Sequence, residues 1–182
     1  MTEFARGKLI RRRSRGNAGF TLIELIAVVV IIGTLAGVAI PALANASSSR
    51  RAAAARLVVH DLGYARERAV AAGLTTWVVF SVAGDSYALL EEPRGSPGRA
   101  GAQAITLPGA SAALARTFAQ GEFLGVEIAS VDFDDGAEIG FDWLGRPVVD
   151  DDTALAADGA VTIEDSLTVR VEAGTGLAWV ED

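Results

Sequence analysis

Apolar positions first run together along one stretch of the chain, then fall into two successive periodic patterns. Residues 20–44, FTLIELIAVVVIIGTLAGVAIPALA, carry a single charge, Glu24. Beyond Asn45, Ala54, Val58, Leu62, Ala65, Ala69 and Ala72 recur at spacings of three and four. That period marks one apolar face of a helix, which Leu57 and Tyr64 widen, while Arg56, His60 and Glu67 fall opposite. Gly73 suits the left-handed position after a last helical turn. The spacing therefore predicts one helix from Phe20 to about Ala72, with an apolar half over 20–44 and an amphipathic half over 45–73. The period then shortens to two. Residues 75–80, 86–90, 104–107, 126–133, 137–141, 161–163, 167–171 and 177–180 are rich in β-branched and aromatic residues and read as strands. Gly84-Asp85 supplies a turn, and residues 92–101 a loop rich in proline and glycine. A long helix packed on an antiparallel sheet over 74–182 is an α+β domain.

As a helix, residues 20–44 would extend roughly 38 Å, enough to cross a hydrocarbon core of about 30 Å. Ala42-Leu43-Ala44 resembles a secretory cleavage motif, but the apolar run is long for a cleaved signal. Gly33 and Gly37 form a GxxxG pair that lets helices approach closely. Pro41 removes one helical hydrogen bond and predicts a kink.

Charge sharpens this organisation. Residues 1–19 hold six basic residues and one acidic one, net +5, whereas from Phe20 onward ten basic residues face 22 acidic ones, net −12. A basic head before an apolar bar predicts a cytoplasmic N-terminus and an extracytoplasmic body. Cysteine is absent, which excludes disulfides and thiolate metal sites.

Glu24 is the anomaly in the apolar bar. A carboxylate inside a membrane helix costs about 2.5–3.5 kcal/mol at the centre, less near an interface, and requires a partner. While residues 1–19 remain attached, the nitrogen of Phe20 is a neutral amide. Cutting after Gly19 would turn it into a cationic amine one helical turn from Glu24.

Gly19-Phe20-Thr21-Leu22-Ile23-Glu24, behind a short basic leader, resembles the class III signal of type IV pilins and type II secretion pseudopilins. The resemblance implies that a prepilin peptidase cuts after Gly19 and that Phe20 becomes the methylated N-terminus. It also implies that Glu24 is the assembly carboxylate, pairing with a neighbouring subunit's terminal amine. In the body, Asp61-Leu62-Gly63-Tyr64-Ala65-Arg66 is similar to the second-half helix of the GspH/FimT group, with Gly63 in place of the customary basic residue. Ile139-Gly140-Phe141-Asp142 with Gly145-Arg146-Pro147, and the region 169–180, resemble that group's strand–loop and closing hairpin. Residues 91–125 match nothing in it. The resemblance as a whole implies a minor pseudopilin of the inner membrane, partnered by other pseudopilins or minor pilins. The alternative is a minor pilin of a type IV pilus or competence filament.

Other chemistry finds little support. His60 is the only histidine, and its helical position predicts a solvated side chain. No nucleophile elbow or phosphate-binding glycine loop appears, so the expectation is a structural protein with no catalysis, metal or cofactor. Asp132, Asp134, Asp135 and Glu138, and the run 150–152, could offer oxygen ligands to calcium but lack the EF-hand spacing. The acidic body, ending in Trp179-Val180-Glu181-Asp182, would repel phosphates, so nucleic acid is not expected as a partner. Trp143 reads as a loop anchor, and Trp77 and Trp179 as core or sheet surface.

Overall fold

The computed structural model describes residues 20–95, 98–150, 152–164 and 167–181, with the side chains of 38–45 outside that set. The chain divides into two compact units, Met1–Leu43 and Ala44–Asp182. The helix α1 (Leu22–Ala72) contributes to both. In the first unit the large apolar side chains from Leu22 to Leu35 are exposed.

In the second unit the predicted face is buried from Ala54 to Ala69, with Ala55 joining it and Ala72 only half-buried. Ala54, Ala55, Val58, Leu62, Ala65 and Ala69 are at most 1% exposed. Alanine at four of these six positions keeps that face thin, so sheet side chains can approach the helix closely. Gly73 closes the helix at φ +65, its N–H donating to the Ala69 carbonyl over 2.9 Å. A left-handed residue after the last turn satisfies carbonyls the helix would otherwise leave open.

Eleven strands follow among the described residues: β1 (Thr76–Ser81), β2 (Ser86–Glu91), β3 (Gln103–Ala104), β4 (Ala115–Thr117), β5 (Ile128–Asp132), β6 (Glu138–Phe141), β7 (Pro147–Val149), β8 (Thr153–Ala154), β9 (Gly159–Ile163), β10 (Leu167–Val171) and β11 (Ala178–Glu181). They form two sheets rather than the single one expected. One runs β3-β2-β1-β6-β7-β8 with β4 also on β2, and the other runs β11-β10-β9-β5. All the named pairings are antiparallel. The periodicity missed β4, β7 and β8 because two or three residues cannot display an alternation. The expected strand at 104–107 shrinks to Gln103–Ala104, and Thr106 makes only an isolated bridge to Ala113.

Segment 91–125, which resembled nothing, belongs to the core. Ile105, Leu114 and Phe118 are buried with the helix face. Phe118 stacks edge-on against Tyr87 and Phe123, with ring centroids 6.1 and 5.4 Å apart, and Tyr87 continues to Phe80 at 5.3 Å. Such pairs contribute beyond their buried area. Elsewhere the packing leaves no room: a Cβ at Gly159 would lie 2.2 Å from the Phe133 ring.

Candidate functional site

The head of α1 is built by a side chain that the hydrophobic pattern does not single out. Thr21 stands just before the first helical residue, and its hydroxyl accepts the backbone N–H of Glu24 at 3.3 Å. Its carbonyl accepts the Leu25 N–H at 3.1 Å, closing the first turn. Thr21-Leu22-Ile23-Glu24 thus has the spacing of a capping box, a signature readable from the letters alone. Glu24 lies in the first turn, where the helix's unpaired N–H groups favour an anion.

Glu24 and Phe20 are both exposed, Phe20 at 77%. Gly19 and the rest of the expected leader lie outside the described residues. A Cβ at Gly33 or Gly37 would meet nothing within 4 Å, so no contact among the described residues demands glycine at either place. Pro41 falls inside α1, but its side chain is outside the described set. No helix among the described residues is long and apolar enough to cross a membrane. The apolar run described with side chains stops at Gly37, and its continuation to residue 44 is a property of the sequence.

In the body, one buried carboxylate joins three elements. Asp61 of α1 is 2% exposed. Its Oδ2 accepts Tyr87 Oη from β2 and Arg116 Nε from β4, both at 2.9 Å, while His60 Nδ1 lies 3.0 Å from Oδ1. Burial pushes this carboxyl upward, but hydrogen bonds from Arg116, His60 and Tyr87, with the Arg116 charge, outweigh it and hold the group below its usual range. The Tyr87 hydroxyl is pushed well up, by burial first and by the Asp61 charge second. His60 itself is solvated, as its helical position predicts, with 73% of its side chain exposed.

A second buried carboxylate builds the turn after β6. Asp142 Oδ1 accepts the N–H groups of Leu144 and Arg146, each at 2.9 Å, and Oδ2 accepts Arg146 Nε at 2.8 Å. Burial raises the Asp142 carboxyl, yet these bonds and the Arg146 charge bring it below its ordinary value. Arg66 of α1 donates from Nε to the carbonyls of Gly145 at 3.1 Å and Thr175 at 2.9 Å, fastening this turn and the last hairpin to the helix. Trp143 does not anchor the turn: it is 60% exposed, and the anchoring belongs to Asp142, Gly145 and Arg66. Trp77 is core, its Nε1 donating to buried Glu92 at 3.0 Å, and Trp179 is sheet surface.

The acidic runs are engaged in local bonds. Asp132 accepts the Asp135 N–H, Asp134 the Ala156 N–H, Asp152 the Thr75 hydroxyl, and Glu138 pairs with Arg99. No three metal-ligating side chains converge among the described residues.

Known proteins resemble both the head of the chain and its fold. Residues 14–40 match the family model of the prokaryotic N-terminal methylation motif. No curated protein sequence matches the chain. Two solved structures of the minor pseudopilin EpsH, from the type II secretion system of Vibrio cholerae, share the fold. One has a TM-score of 0.50 at 14% identity, covering 72% of this chain and 96% of that one. The other has a TM-score of 0.52 at 12% identity, covering 72% and 93%. The chain thus carries a prokaryotic N-terminal methylation motif at its head and shares its fold with a minor pseudopilin.

Proposed function

We propose that the chain is a minor pseudopilin, a structural subunit of a type II secretion filament, stored in the inner membrane with its body outside the cytoplasm. A prepilin peptidase cuts after Gly19, and Phe20 becomes the methylated terminus. The new amine gives the Glu24 carboxylate of a neighbouring subunit its cationic partner and sets the axial register of the filament. Gly33 and Gly37 let neighbouring helices approach, and Pro41 lets the helix bend. The subunit performs no catalysis and takes energy from elsewhere in the machine.

The observation that carries this reading is the methylation motif over residues 14–40, which spans the cut, the amine and the carboxylate. Thr21 adds support, since its cap starts the helix at Leu22 and leaves Phe20 outside it. The likeness to a type II secretion pseudopilin favours secretion over a pilus. Mass spectrometry of the mature chain tests it: the expected N-terminus is methylated Phe20. A chain starting at Met1, or after Ala44, overturns it.

A further inference from the structure

Sheet edges expose unpaired backbone groups, and proteins usually blunt them. Three of the four edges among the described residues are blunted. β8 has two residues, the β3 and β4 strip is broken into pieces of two and three, and β5 carries a bulge between Ile128 and Ser130. β11 is different: four regular residues, Ala-Trp-Val-Glu, paired on one side only. The Glu172 N–H donates to the Leu177 carbonyl, which fixes the phase of the ladder. Trp179 and Glu181 therefore bond to β10, while the N–H and C=O groups of Ala178 and Val180 point away from it. No hydrogen bond among the described residues reaches those four groups.

Beside this edge the protein holds exposed apolar side chains on a stiff frame. A Cβ at Gly145 would lie 3.2 Å from Val70 Cγ2, and one at Gly176 would lie 2.9 Å from the Gly145 carbonyl, so the Asp142 turn, the hairpin before β11 and the helix end meet there. Trp143, Leu144, Leu177, Trp179 and Val70 are 41–60% exposed. A buried aspartate, an arginine clamp and Gly145 at positive φ hold the turn, yet Trp143 and Leu144 contribute nothing to the core. Rigid exposed tryptophans with aliphatic neighbours are the usual anchors of protein interfaces. Charge selects the partner. The arginines around this surface are engaged, Arg66 with two carbonyls, Arg146 with Asp142 and Arg170 with Glu181. Glu67, one turn before Val70 on the helix, and Glu172, paired with Leu177 across the hairpin, form no ion pair among the described residues.

We propose that the open edge of β11, with the Trp143 turn beside it, takes up an extended segment of another protein as an added strand, apolar at alternate positions and flanked by lysine or arginine. A second copy of this acidic body is a poor occupant, because like charges would meet. This surface does not depend on the assembly proposed at Phe20 and Glu24, so either can fail alone.

The full chain in detergent micelles tests it against three synthetic nonapeptides. The first alternates valine and threonine between terminal lysines, the second carries glutamates in place of the lysines, and the third is the first with alternate backbone nitrogens methylated. The lysine peptide is expected to bind and to slow amide exchange at Ala178 and Val180, with the other two at least about tenfold weaker. Trp143→Ala should weaken it by about tenfold, and Leu124→Ala, at another exposed apolar side chain, should leave it unchanged. Three results overturn the proposal: no binding of the lysine peptide at about 1 mM, equal binding of the methylated peptide, or slowed exchange at Ala178 and Val180 that grows with protein concentration alone.

Discussion

Arg116 Nε donates to Asp61 Oδ2 over 2.9 Å, joining β4 to the helix across a sequence separation of 55 residues. This bond fastens to the helix a segment that resembled nothing. Removing the carboxylate takes the acceptor from the buried Tyr87 hydroxyl and from Arg116, which is itself 36% exposed. Asp61→Ala is expected to destabilise the body by about 2 kcal/mol, read as a lower denaturant midpoint. Tyr87→Phe, which keeps the ring and loses one hydrogen bond, should cost only about 1 kcal/mol.

The same network sets an acid limit. The Asp61 and Asp142 carboxyls are held below their ordinary value in the folded chain. An unfolded carboxyl titrates near about 3.9, so their stabilisation is present above about pH 4 and is lost as pH falls toward their folded values. Melting temperature should therefore drop steeply below about pH 4. Asp61→Asn, already less stable at pH 7, should show a shallower drop, and an equal slope would count against the assignment.

Glycines separate packing from backbone freedom. An alanine at position 159 would drive its Cβ into Phe133, and Gly159→Ala should cost about 1–3 kcal/mol. Gly63 lies inside α1, where an added Cβ would meet nothing within 4 Å. Gly63→Ala should therefore stabilise by about 0.5–1 kcal/mol. Thermal unfolding of the two variants should move in opposite directions.

Glu24→Ala is expected to insert and to be cut, yet to fail to enter filaments in cells lacking the wild-type copy. Thr21→Ala should speed amide exchange in the first turn of α1, and Thr21→Ser should restore it. Normal secretion by the Glu24 variant would remove the pairing from the proposed mechanism.

Legibility followed the range of the forces involved. The buried helix face, the end at Gly73 and the hairpin β10–β11 were readable because each is written in neighbouring residues. The division into two sheets was not, since the partner of a strand such as β9 or β5 is chosen by packing far along the chain. Asp61 could be identified by resemblance, but its partner Arg116 lies in β4, whose three residues carry no periodic signal. At the head of the helix the acid was conspicuous in an apolar run, whereas Thr21, an ordinary polar letter, needed the three-residue spacing to be noticed.

Thr21 also bears on how the chain could be processed. The bonds that Thr21 makes to Glu24 and Leu25 lie wholly on the Phe20 side of the proposed cut. A peptidase could exchange an amide for an amine at Phe20 without breaking either of them. The product would then be ready for its next partner the moment the bond is broken.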